Sequence, residues 1–121
     1  MGRERDGPIF LGIYMKPFSL CLTSIDGAKR IPLLDCSNSI KMKSGMVVLK
    51  HGEDVGCHNT NGKEELIIVL EGNACIEIDD KPFETINTDS VFYIPPETKH
   101  NIVNRDEKTL RYIYIVSPVE N

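Results

Sequence analysis

Apolar residues in this chain come in short runs or in strict alternation, and polar punctuation separates them. Phe18, Leu20 and Leu22 alternate with Ser19, Cys21 and Thr23 ahead of Asp26-Gly27. Met46 to Leu49 runs into His51-Gly52, and Leu66 to Leu70 into Glu71-Gly72-Asn73. Ala74, Ile76 and Ile78 alternate with Cys75, Glu77 and Asp79 before Asp80-Lys81-Pro82. Val91 to Ile94 stops at Pro95-Pro96, and Leu110 to Val116, rich in Ile and Tyr, stops at Ser117-Pro118. A period of two sends successive side chains to opposite faces of a strand, and Gly, Pro, Asn and Asp supply the turns. No window holds apolar residues at the i, i+3, i+4, i+7 spacing of an amphipathic helix. Many short strands with regular turn signals predict an all-β sandwich or barrel with little or no helix.

One run stands apart. Leu66-Ile67-Ile68-Val69-Leu70 is apolar on both faces, although an antiparallel strand usually leaves one face wet. Its outer face is expected to be covered by another part of the chain or by a second subunit, and a homodimer is the expectation carried forward.

Composition narrows the class. With 121 residues, 40% hydrophobic and 26% charged, the chain suits one globular domain with a proper core. We expect a loosely attached tail over residues 1–8 and a single β-barrel domain over 9–121. The net charge of −4 argues against a nucleic-acid backbone or an anionic membrane as the main partner. No apolar stretch nears the ~20 residues of a membrane helix. The opening residues Met1 to Asp6 include acids, and Lys16-Pro17 cuts off the apolar patch Ile9 to Met15, a pattern unlike a secretion signal. A cytoplasmic location follows as an expectation. Cys21, Cys36, Cys57 and Cys75 contain no CxxC pair, so we expect reduced thiols acting as small buried hydrophobes.

The chemistry gathers around His58. Asn61-Gly62 is the strongest two-residue hairpin signal, because both positions of a type I′ turn need positive φ. With those residues as the loop, Thr60 pairs with Lys63, Asn59 with Glu64 and His58 with Glu65. An imidazole and a carboxylate then share one face, with Thr60 beside them and Cys57 on the other side. On the turn alone, the plainer reading is preferred: a surface cross-strand contact.

The spacing resembles a known family. Gly52, His58, Thr60, Glu65 and Gly72 resemble the first signature of the cupin superfamily, a Gly, a His-x-His pair, a Glu and a Gly. Pro95, His100 and Asn104 resemble the second. The resemblance implies a double-stranded β-helix, or jelly-roll barrel, with a site in its mouth. It further implies that His58, Glu65 and His100 hold a divalent metal: iron, manganese, nickel or zinc. Thr60 stands where the family has its second His, which leaves three protein ligands and makes Thr60 a group facing bound water or substrate. Asp89 and Glu97 stand where the second signature has glycines. Two imidazoles and one carboxylate with open positions suit non-haem iron(II) and catalytic zinc alike. The expected function is a metal-dependent enzyme of isomerase, lyase or dioxygenase type acting on a small polar molecule. The alternative is a binding or sensing barrel that has lost its metal.

Overall fold

The computed structural model describes residues 15–24 and 29–120. Nine strands among these residues carry the fold: β1 (Arg30–Leu34), β2 (Lys43–Leu49), β3 (His58–Asn59), β4 (Lys63–Glu71), β5 (Ala74–Ile78), β6 (Lys81–Ile86), β7 (Val91–Ile94), β8 (Lys99–Val103) and β9 (Leu110–Pro118). Burial follows the pleat that the sequence pattern implies. Along β4, Glu65, Ile67 and Val69 are buried, and Leu66, Ile68 and Leu70 between them are half-buried.

All pairings are antiparallel and form two sheets, β1-β2-β9-β4-β7 and β3-β8-β5-β6. From β3 onward the chain crosses between the sheets at every connection except β5–β6. That one hairpin turns at Asp79-Asp80, both with positive φ (52° and 67°), as a type I′ loop demands. Repeated crossing folds the two sheets over each other as an antiparallel jelly roll, the double-stranded β-helix. The core lies between the sheets. Val47, Leu49, Ile67, Val69, Leu110 and Tyr112 face it from one side, and Ala74, Ile76, Ile86 and Ile102 from the other. Each such aliphatic side chain contributes roughly 1.5–3 kcal/mol through burial. No helix among the described residues is long and apolar enough to cross a membrane.

Several expectations change. The alternating segment from Phe18 to Thr23 is not a strand; Phe18 and Leu20 stay 49% exposed, and Leu22–Ser24 is one turn of 3-10 helix. Alternation gives a segment two faces, but a strand also needs a neighbour for its backbone groups, and no described strand pairs here. Asp26-Gly27 and the tail over residues 1–8 lie outside the described residues. The sequence pattern passed over β1, β6 and β8. Pro82 reads as part of a turn and Pro32 interrupts β1, yet β1 and β6 are the edges of their sheets, where a missing N–H is tolerated. In β8 a buried position is occupied by His100, so no apolar run marks it. Of the four cysteines only Cys75 is buried, and Cys21, Cys36 and Cys57 are exposed.

Candidate metal centre

The Asn61-Gly62 turn forms with both residues left-handed, at φ 45° and 74°, but it closes no hairpin. Instead, β3 ladders with β8, setting His58 opposite His100 and Asn59 opposite Lys99. The predicted His58–Glu65 cross-strand pair is therefore corrected: β4 lies in the other sheet. Thr60 is the cause. Its N–H donates to the Thr98 carbonyl (3.2 Å), and its hydroxyl donates to the Pro95 carbonyl (2.8 Å) and accepts from the Thr98 N–H (3.0 Å). The Gly62 N–H donates to Glu97 Oε2 at 2.7 Å. These bonds hold the chain ahead of the turn against the segment leading into β8, and the turn then carries it across to the opposite sheet.

The three ligand candidates still meet. His58 and His100 are cross-strand neighbours with ring centroids 4.2 Å apart. Glu65 reaches them from the inner face of β4, and one donor atom from each of the three residues lies within 4.8 Å of the others. Exposure is graded, with His100 and Glu65 buried and His58 open to solvent, so the cluster is approached from the His58 side.

Backbone carbonyls set the tautomers. His58 Nδ1 donates to the Gly56 carbonyl (2.9 Å), and His100 Nδ1 to the Thr98 carbonyl (3.1 Å). Each neutral ring then presents a bare Nε2 lone pair, the form that binds a metal. His100 Nε2 is buried and without a hydrogen-bond partner. It lies 3.3 Å from Glu65 Oε1, near enough for charge to be felt but misaligned for a hydrogen bond. Burial pushes the His100 pKa down, but the Glu65 carboxylate and the Thr98 carbonyl outweigh it and leave the pKa above its ordinary value. In the metal-free chain this ring can hold a proton that a bound cation would displace. An orphaned buried nitrogen close to a carboxylate and a second imidazole fits a divalent transition metal.

Thr60, read as facing water or substrate, lines the cavity beside the cluster, but its hydroxyl proton is turned into the wall, to Pro95. It holds Thr98, and the Thr98 carbonyl orients His100. The cavity measures about 180 Å³, and its lining includes His58, Glu65, Tyr112 and Tyr114. Tyr112 is pushed well above the usual phenol range by burial and by the Glu65 charge, so its hydroxyl stays protonated. Gly45 gives Tyr114 its place: a Cβ there would stand 2.7 Å from the Tyr114 hydroxyl oxygen. Asp89 and Glu97, at the family's glycine positions, both adopt positive φ (68° and 57°). The turn geometry survives with non-glycine residues in it.

Other candidates fall outside the site. His51 Nδ1 donates to the Asp106 carbonyl at 2.9 Å. The Tyr93 hydroxyl donates to Glu64 Oε1 at 2.9 Å, and Tyr93 is 53% exposed. Cys57, expected to pack, is exposed, with Sγ 3.6 Å from Asp80 Oδ1. Sequence reasoning missed Arg30, Lys43 and Lys63, which all line the cavity. For Lys63 a signal existed, because it precedes Glu65 by two residues and shares its face.

Fold and site define an antiparallel β-barrel protein with a potential metal cluster between its two sheets. The profile of the cupin domain matches residues 45–116, more than half of the chain, and the chain belongs to the cupin family. An uncharacterized protein of Methanocaldococcus jannaschii is 31% identical over 65 residues, covering 54% of this chain and 51% of the relative. The chain thus spans about half the length of that relative. A Bacillus halodurans protein superposes with a TM-score of 0.74 at 22% identity, over 88% of this chain and 84% of its own. The cupin domain of Schizosaccharomyces pombe Cnp3 gives a TM-score of 0.72 at 16% identity, over 83% and 73%. At those identities the two structures speak for the fold alone.

Proposed function

We propose that His58, Glu65 and His100 hold a divalent transition-metal ion and that the barrel uses it to act on a small polar molecule entering the cavity. The observation that carries this reading is the pair of imidazoles whose Nδ1 atoms are tied to backbone carbonyls, leaving both Nε2 atoms free beside a carboxylate. When bound, such a metal would polarise a ligand oxygen through the positions the three residues leave open. Glu65 supplies the negative charge that a cation needs in a half-buried site. The protonated Tyr112 hydroxyl and the Tyr114 ring shape the wall against which a ligand lies. Among the described residues no histidine beyond the ligand candidates lines the cavity, and Tyr112, which stays protonated, serves as a hydrogen-bonding wall group.

A second reading, a barrel that binds or senses a small ligand without turnover, is favoured by Thr60. Its committed hydroxyl leaves the family's fourth donor position without a metal ligand. Metal content decides the first question. Wild type, His58→Ala and His100→Ala are reconstituted with iron(II), manganese, nickel and zinc, then measured by elemental analysis. Near-stoichiometric metal in wild type, lost in both variants, is the expected result. Wild type that takes up none of the four metals removes the metal reading and leaves the binding barrel.

The proposal extends to assembly. Leu66, Ile68, Ile113 and Ile115 form a half-buried apolar outer face, flanked by Val91 (61% exposed) and Tyr93. A second copy of the chain covers it in this reading.

A further inference from the structure

We infer that the cavity selects a compact anion, whose carboxylate or phosphate group sits among Arg30, Lys43 and Lys63 while the rest of the molecule reaches His58 and Glu65. The inference rests on the reading of this site given above and names the chemistry of what enters it.

The inner face of the five-stranded sheet is graded along its strands. Inward positions of β4 read Lys63, Glu65, Ile67 and Val69, and those of β2 read Lys43, Gly45, Val47 and Leu49. Each strand passes from a cation at the open end to aliphatic core. Register lines the strands up: Lys43 lies opposite Val116, which lies opposite Glu65 on its other side. Arg30 lies opposite Val47 on the neighbouring edge strand, and Val47 opposite Tyr112. Arg30 and Glu65 both act on the Tyr112 hydroxyl, so cation and carboxylate flank one stretch of wall. All three cations line the same cavity as His58 and Glu65.

The balance of charge at the cavity differs from that of the chain. Acids outnumber Lys and Arg by 18 to 14, yet the cavity lining has three cations and one acid among the described residues. Among the described residues, no carboxylate lies at ion-pair distance from Arg30, Lys43 or Lys63. Asp35, whose carboxyl feels Lys43, accepts hydrogen bonds from the Ser37 N–H and hydroxyl. Among the described residues the one acid lining the cavity is Glu65, 3.3 Å from His100 Nε2.

Arg30, Lys43 and Lys63 are exposed at the mouth and stand beside an aliphatic wall of Val47, Val55 and Val116, so they set a positive potential where a ligand enters. A cation is repelled from such a mouth, and a neutral molecule leaves the charges without a counter-ion. Arg30 offers a bidentate fork and the lysines mobile point charges, a combination suited to carboxylate or phosphate oxygens. A volume of about 180 Å³ gives room for a compact anion beside the cluster.

The test is isothermal titration of the full chain, metal-free and zinc-loaded. The probes are malonate, inorganic phosphate and malonamide, the uncharged counterpart of malonate. At least one anion is expected to bind at least tenfold more tightly than malonamide. The Lys43→Gln/Lys63→Gln double variant is expected to lose at least tenfold in anion affinity while keeping wild-type metal content and melting temperature. Preference for malonate marks the ligand as a carboxylate, and preference for phosphate marks it as a phosphorylated compound. The inference is overturned if neither anion binds wild type in either form, if malonamide binds as well, or if the double variant is unaffected. Metal-free protein that binds the anion but takes up no metal retires the metal reading and keeps the anion pocket. Metal-loaded protein that binds neither anion does the reverse.

Discussion

Thr60 shows how much one side chain can organise without touching a ligand. It occupies the family's second histidine position, yet its hydroxyl is saturated by Pro95 and Thr98. Thr98 in turn accepts from His100 Nδ1, so Thr60 reaches the His58, Glu65 and His100 cluster through a relay of two hydrogen bonds. Thr60→Val keeps the shape and removes the hydroxyl, leaving two part-buried backbone groups without partners. The expected cost is about 1–3 kcal/mol of stability by thermal melting. Outer hydrogen bonds to a ligating histidine are typically worth ~10–100-fold in metal affinity. A fall of that order, read by chelator competition, is therefore expected in Thr60→Val, with Thr60→Ser restoring both quantities. A purely structural role would lower the melting temperature and leave the metal affinity unchanged. The motif spacing made position 60 legible as part of the site, but not the direction its hydroxyl points, because Pro95 and Thr98 are distant in sequence.

Elements are joined here by side chains that bridge the sheets. Asn104, fully buried at the end of β8, donates through Nδ2 to the Leu49 carbonyl of β2 (2.9 Å) and to the Lys108 carbonyl (2.8 Å). Its Oδ1 accepts from the Asp106 N–H at 2.9 Å. Its own backbone exchanges bonds with Gly52 and Glu53. The residue thus pins the β8–β9 loop and the end of β2 together. Asn104→Ala leaves two carbonyls and one N–H unpaired in or near the core. The expected loss is about 2–4 kcal/mol in urea unfolding, a large share of the 5–15 kcal/mol typical of a domain. A loss below about 1 kcal/mol would show that water replaces the side chain. Loops taught the complementary lesson. Asn61-Gly62 has the φ values of a hairpin turn and connects two sheets, and the paired hairpin is at Asp79-Asp80, a less emphatic dipeptide. A turn sequence sets local backbone angles; it does not choose the ladder on either side.

At the scale of the whole molecule, the outer face of the five-stranded sheet makes the clearest prediction. Sedimentation of wild type is expected to give twice the chain mass. Ile68→Glu, which places a charge between Ile113 of β9 and Val91 of β7, is expected to give a monomer with unchanged far-ultraviolet circular dichroism. A wild-type monomer at high protein concentration would remove the assembly part of the proposed function.

Extended segments, turn positions and the spacing of His58, Glu65 and His100 could be read from the chain alone, because period and turn chemistry depend on near neighbours. Proline limited that reading at β1 and β6, where only the position of a strand at the sheet edge makes Pro32 and Pro82 acceptable. Tertiary structure decided which strands pair. It paired His58 across the ladder with His100 rather than Glu65, and it brought Lys43 and Lys63 into the same cavity as Arg30. Hydrogen-bond ladders and cavity walls are made between segments far apart in sequence, and a local pattern of polar and apolar residues carries no record of which distant segment completes them.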